Sequence, residues 1–188
     1  MADKRRFELF ARMIVETFDA PRVLTHMALV VTLPEGSFLA DVGFGNSTPT
    51  VPLRLEADTE QTTSHETFRF AQADKDWVLQ IQLAGAWENV YRLSSQSTMD
   101  IDFDVANWFV STHPASIFTN NLVAARPGPN GIRYTFLNGR ANTRYPDGRV
   151  DRRSFANSAD IVAALSETFG LTVDPTMVDA AIAALERR

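Results

Sequence analysis

The sequence has no cysteine among its 188 residues, which excludes disulfides and thiolate metal sites. Histidine is almost as scarce. His26, His65 and His113 stand far apart, and no two share a spacing that a metal site would use. Lysine and arginine number 18 against 23 acids, a net charge of −5. With no basic footprint, nucleic acid is not expected as a partner. No apolar run approaches the roughly 20 residues of a membrane span, and Met1 to Arg6 do not open a signal peptide. These absences together lead us to expect a soluble, cytoplasmic protein with neither a metal nor a membrane partner.

What the sequence does hold is enough apolar material, 45% of its residues, for one substantial core or two small ones. The stretch that organises it is VLTHMALVVTLPEGSFLADVGFGNSTPTVPLRL, from Val23 to Leu55. Val23 to Thr32 is rich in β-branched and aliphatic residues, and Phe38 to Val42 forms a second apolar run. Pro34, Glu35, Gly36 and Ser37 between them are turn residues. His26 lies in the first run and Asp41 in the second. An acid inside an apolar strand is costly without a partner, and His26 is the candidate. If Pro34 and Glu35 are the central turn residues, Asp41 falls opposite Ala28, a diagonal step of roughly 7–8 Å from His26. A wider loop of Pro34 to Ser37 would place it opposite Val30, too far for contact. Both registers keep the two side chains on one face. Such a pair serves either as a catalytic device or simply to rigidify the sheet.

The residues then carry a resemblance. T-H-x-x-L at Thr25, L-A-D-V-G-F-G at Leu39 and P-x-x-P-L at Pro49 are followed by N-W-F-V-S-T-H-P at Asn107 and L-N-G-R at Leu137. In this order they resemble the arylamine N-acetyltransferase family, from about Val23 to the C-terminal helices. The resemblance implies an α+β fold of cysteine-protease-like architecture and a Cys–His–Asp triad. That triad moves acetyl from acetyl-CoA through the cysteine to arylamines or N-hydroxyarylamines. His26 and Asp41 match its histidine and aspartate. Phe44 matches a residue that lines the arylamine pocket, Thr25 and Phe118 match further pocket positions, and Gly43 and Gly45 border the coenzyme entrance. No metal is implied.

In the family the cysteine sits in an R-G-G-x-C-F-E segment of an N-terminal helical domain. Arg6, Phe7, Glu8 and Leu9 echo its end only faintly, without the glycines or the cysteine. We therefore expect a truncated acetyltransferase polypeptide, inactive alone. It would be a fragment, or one half of a split enzyme partnered by a Cys-bearing helical domain in trans. The competing expectation is a binding module that keeps the pocket and has lost catalysis.

The pattern along the chain predicts four parts. Residues 1–21 read as an N-terminal amphipathic helix, with Phe7, Phe10, Met13 (or Ile14) and Phe18 at helical spacing and Pro21 ending it. Residues 22–99 read as an antiparallel β-barrel, with strands over Phe68 to Ala71, Trp77 to Leu83 and Trp87 to Leu93. Within it the polar stretch from Glu56 to Glu66 is expected as a surface excursion, with His65 exposed. Residues 100–114 read as a linking helix capped by Asp102 or Asp104, with His113 in a structural role. Residues 115–188 read as an α/β lid domain. Its Asn138-Gly139 is a type I′ hairpin signal. Ser158 is expected to cap a helix that Gly170 ends, and Asp174-Pro175 to open the last one. Arg140, Arg144, Arg149, Arg152 and Arg153 are expected as a solvated sheet face, with electrostatic help toward the coenzyme A phosphates as a second reading.

Overall fold

A computed structural model of the chain describes residues 12–14, 24–94 and 98–187, and of residues 12–14, 24 and 25 the backbone only. The chain divides into two compact units, one ending at Trp108 and the other running Phe109–Arg188.

The first unit opens with β1 (Arg12–Ile14), β2 (Leu24–His26), β3 (Leu29–Leu33) and β4 (Gly36–Ala40). Two short strands, β5 (Leu53–Arg54) and β6 (Gln61–Thr62), precede three longer ones, β7 (Thr67–Ala73), β8 (Asp76–Leu83) and β9 (Ala86–Ser94). Every strand pair is antiparallel. One sheet runs β2-β1-β9-β8-β7-β6 and the other β3-β4-β5. The two-residue turns Asp74-Lys75 and Ala84-Gly85 join the long strands, with φ of +56° at Asp74, +49° at Ala84 and +82° at Gly85. Positive φ at the turn matches the twist of the flanking strands. Alternation then sends Phe68, Phe70, Leu79 and Ile81 inward, where they join Ala28, Leu39, Leu53, Val90, Tyr91 and Leu93 in one buried cluster. Both sheets thus feed a single core.

Three expectations are corrected in this unit. The helix over residues 1–21 is contradicted at Arg12–Ile14, which is a strand between β2 and β9. Ladders on both sides satisfy its backbone, and β-branched Ile14 suits a pleated sheet. The remainder of that helix, with Phe7, Phe10 and Phe18, lies outside the described residues. Second, the ladders among the described residues stay open and do not close a barrel. The run from Val23 to Thr32 breaks at Met27-Ala28, where the chain passes from one sheet to the other. Third, the stretch from Glu56 to Glu66 is the largely exposed excursion expected, with β6 in it pairing to β7, but its His65 is not exposed. His65 there is half-buried, its Nδ1 bonded to Ser64 Oγ at 2.9 Å.

Helix α1 (Asp100–Thr112) crosses the division between the units. Asp102 closes its first turn by accepting from Met99 N at 3.0 Å while its own amide donates to Met99 O at 2.9 Å. The side-chain bond is the half of a capping box in which the N3 residue reaches back to the N-cap amide; Met99 has no side-chain acceptor for the other half. His113, just past the helix, stacks on Phe109 at 4.6 Å and accepts from Ala115 N at 3.1 Å, the structural role expected of it.

The second unit holds α2 (Ile117–Asn120), β10 (Val123–Pro127), β11 (Arg133–Leu137), β12 (Arg140–Arg144), β13 (Val150–Ser154), α3 (Ser158–Glu167) and α4 (Pro175–Glu186). The four strands pair in chain order. The turn Asn138-Gly139 has φ of +48° and +81°, as its sequence requires. The cap of α3 is Asn157 rather than Ser158: its side chain accepts from Asp160 N at 2.9 Å. Asn and Ser are equivalent caps by chemistry, so the sequence left the choice to geometry. Asp174 caps α4 with Pro175 in its first turn. Phe136, Ile161, Leu165, Phe169 and Val178 form this unit's core. Of the five arginines, Arg149 is bound to Asp151 and stacked on Tyr145, and Arg153 lies over Phe155. The fold is thus α+β with antiparallel sheets. No helix among the described residues is long and apolar enough to cross a membrane.

Candidate active site

His26 is the last residue of β2, and Asp41 directly follows the last residue of β4. The β3–β4 register pairs Leu33 with Gly36 and Leu29 with Ala40. The turn is therefore Pro34-Glu35, and one further step sets Asp41 beside Ala28. The tighter of the two expected registers is the one formed. The pairing itself differs from expectation, because His26 and Asp41 belong to ladders of different sheets. The break at Met27-Ala28 folds the end of β2 over the end of β4.

Histidine Nε2 lies 3.0 Å from both Asp41 oxygens. The carboxylate receives two more donors, the Gly43 amide at 2.9 Å on Oδ1 and the Tyr91 hydroxyl at 2.9 Å on Oδ2. The Asp41 side chain is fully buried while that of His26 is 15% exposed. Burial pushes the Asp41 carboxyl up, but the His26, Gly43 and Tyr91 hydrogen bonds and the His26 charge outweigh it and hold it below the usual carboxylate range. Burial first, then the Asp41 charge and hydrogen bond, raise the Tyr91 phenol far above its ordinary value. Asp41 is thus an anion and Tyr91 a neutral donor. Nε2 must carry the proton that it donates to the carboxylate, which leaves Nδ1 of a neutral ring as an acceptor. Nδ1 makes no hydrogen bond among the described residues.

Phe44 meets His26 at 5.3 Å and 73° and Tyr91 at 4.9 Å and 63°, both edge-on. It packs against the first unit's core. Gly45, with φ of +99°, donates its amide to Thr48 Oγ1 at 2.7 Å. Gly43 has no such left-handed φ, and a Cβ there would sit at an ordinary 3.6 Å from His26 Cε1. Of the two glycines, Gly45 alone uses a backbone conformation that other residues rarely adopt. His26, Asp41, Gly43 and Phe44 are brought together. Thr25 adjoins His26 on β2 with its side chain outside the described residues, and Phe118 lies exposed on α2 of the second unit. No cluster of metal-ligating side chains occurs among the described residues.

Sequence reasoning missed Tyr91. The register of β8 and β9 pairs Leu79 with Tyr91 but Gln80 with Asn89, so Val90 is an extra residue in a bulge. Val90 and Tyr91 consequently both turn inward, at 8% and 2% exposure. A bulge re-aims a side chain and breaks the alternation by which sequence assigns faces. The sequence offers no clear signal for it, because β9 mixes polar and apolar residues and gives the tyrosine no apolar run to stand out from.

Residues 7–178 match a family model described as N-acetyltransferase. The arylamine N-acetyltransferase of Mycobacterium bovis is 40% identical over 151 residues, 79% of this chain and 53% of that protein. The Escherichia coli K12 arylamine N-acetyltransferase is 35% identical over 167 residues, 88% of this chain and 59% of its own length. Among solved structures, Mycobacterium marinum arylamine N-acetyltransferase in complex with CoA superimposes with a TM-score of 0.84 at 31% identity, over 92% of this chain and 66% of that one. The chain spans a little over half the length of the curated relatives it matches.

Proposed function

The chain belongs to the arylamine N-acetyltransferase family, and we propose that His26 and Asp41 are the base and the orienting carboxylate of its acetyl-transfer site. The observation that carries this reading is the pair's geometry: an ionised carboxylate on Nε2 and an Nδ1 that no described residue hydrogen-bonds, on a ring that solvent can reach. A nucleophile–base–orienter triad needs that arrangement of its last two members.

In the first half-reaction Nδ1 takes the proton of a cysteine thiol, and Asp41 stabilises the imidazolium. The thiolate attacks the acetyl-CoA carbonyl, the carbon–sulfur bond to coenzyme A breaks, and the protonated ring returns its proton to the departing thiolate. In the second half-reaction an arylamine nitrogen attacks the acetyl group on the enzyme sulfur. His26 accepts the proton from nitrogen and delivers it to the released cysteine.

These 188 residues contain no cysteine, so the thiol comes from outside them, on a helical segment that docks beside His26. Phe44 lines the amine's path, and Gly43 and Gly45 border the coenzyme's. The CoA complex of the M. marinum relative supports acetyl-CoA as donor.

The test compares the 188-residue chain with the same chain joined to a Cys-bearing helical segment of a relative. The chain alone is expected to transfer no acetyl from acetyl-CoA to an arylamine above background. The joined protein is expected to do so and to lose the activity on His26→Gln or Asp41→Asn. Turnover by the chain alone, or joined activity indifferent to His26→Gln, would overturn the proposal.

A further inference from the structure

We infer that Asn130 is a site of spontaneous covalent modification, at which its side-chain amide is exchanged for a carboxylate through attack by the backbone nitrogen of Gly131. The inference concerns the second unit alone and is independent of the roles given to His26 and Asp41.

The sequence holds two Asn-Gly pairs, Asn130-Gly131 and Asn138-Gly139. Glycine after asparagine favours the reaction, because it has no side chain to shield its own nitrogen. Both pairs sit at the centre of a tight turn. The φ angles are +54° and +75° at the first pair and +48° and +81° at the second. Ile132 N donates to Pro129 O at 3.1 Å across the first turn, and the Leu137–Arg140 pair closes the second. Dipeptide and φ angles therefore do not tell the two sites apart.

The side chains do. Asn138 Oδ1 accepts from Leu122 N at 2.8 Å, and its Nδ2 donates to Asn121 Oδ1 at 2.7 Å. Both ends of that amide are held, and turning it onto Gly139 would break both bonds. Asn130 is exposed, and its amide has no hydrogen-bond partner among the described residues. It can swing onto the Gly131 nitrogen without losing a contact.

The chemistry needs no reagent but water. Gly131 N gives up its proton and bonds to Asn130 Cγ, the Cγ–Nδ2 bond breaks, and ammonia leaves with that proton. Water then opens the cyclic imide at either carbonyl. One opening gives aspartate and the other isoaspartate, with the main chain rerouted through Cβ. Each outcome adds a negative charge to the β10–β11 loop of a chain whose net charge is −5.

The experiment incubates the folded 188-residue chain in mildly alkaline 18O-water and maps its peptides by mass spectrometry. The Asn130 peptide is expected to gain acid and label about 5- to 150-fold faster than the Asn138 peptide, the factor by which two net hydrogen bonds hold a group back. In urea the two rates should converge, because unfolding releases Asn138. Asn130→Gln, whose longer side chain must close a larger ring, should abolish the fast labelling. Equal rates at the two sites of the folded chain would overturn the inference, as would an Asn130 that gains no label there.

Discussion

Tyr91 ties the chemistry of the site to the stability of the fold, because its hydroxyl is one of the donors that keep a buried carboxylate ionised. The folded pKa of Asp41 lies below its ordinary 3.8. Its stabilising effect is therefore complete above the unfolded value and is lost as pH falls through the folded one. Tyr91→Phe removes a donor, so the folded value rises toward the unfolded one. The expected cost near neutral pH is about 1.5–3 kcal/mol, the worth of a hydrogen bond to a charged group. Urea unfolding at a series of pH values should show the variant and the parent converging in acid, as Asp41 becomes protonated in both. A pH-independent gap would mean that Tyr91 acts by packing alone. The two glycines beside Asp41 should separate as cleanly. Gly45→Ala places a side chain at φ +99° and is expected to cost about 1–3 kcal/mol. Gly43→Ala has room at 3.6 Å from His26 Cε1 and no left-handed φ, so its thermal midpoint should stay near the parent's. A severe loss at Gly43 would show that this site needs glycine for a reason other than space.

At the scale of elements, the features legible in the sequence were those set by local chemistry. The Asn138-Gly139 turn, the Asp174-Pro175 helix start and the long strands of the first unit follow from turn residues, caps and alternation, and formed where expected, while the β3–β4 turn took the tighter of the two registers left open. The less legible features depend on distant parts of the chain. Strand β1 lies within an amphipathic pattern that also suits a helix, and its pairing with β2 and β9 decided the outcome. The switch of sheets at Met27-Ala28 and the bulge at Val90 leave no local mark, yet they bring His26, Asp41 and Tyr91 together. The pair was thus readable from the cost of burying an acid, and its third member was not. The Asn138-Gly139 turn offers a test of local control. Gly139 has φ of +81°, and a Cβ there would meet Phe155 O at 3.3 Å. Gly139→Ala is therefore expected to destabilise by about 1–3 kcal/mol, read as a drop in urea midpoint with an unchanged slope. A changed slope would instead indicate that the β11–β12 hairpin unfolds separately from its core.

On the scale of the whole molecule, the site has an apolar surface that its own unit leaves uncovered. Val42, between Asp41 and Gly43, is 99% exposed, and Met27, next to His26, is 55% exposed. Leu29 adds to them from β3, which lies at the edge of its sheet among the described residues. Isolated apolar residues on a surface are ordinary, whereas several beside a site and an open strand edge mark a face that binds something. Under the function proposed above the occupant would be the thiol-bearing segment, which would have to approach His26 to within about 2.6–3.2 Å for its sulfur to give up a proton. Two consequences follow for a preparation of these 188 residues alone. Light scattering should show concentration-dependent self-association, and the double change Met27→Gln with Val42→Ser should reduce it without lowering the thermal midpoint, because neither side chain lies in the core. Joined to a Cys-bearing helical segment, the unaltered chain should become monodisperse, while the doubly altered one should dock the segment less well and transfer acetyl more slowly. A clean monomer at every concentration, with joined activity unaffected by the double change, would mean that this face has no occupant and that the thiol reaches His26 from another side.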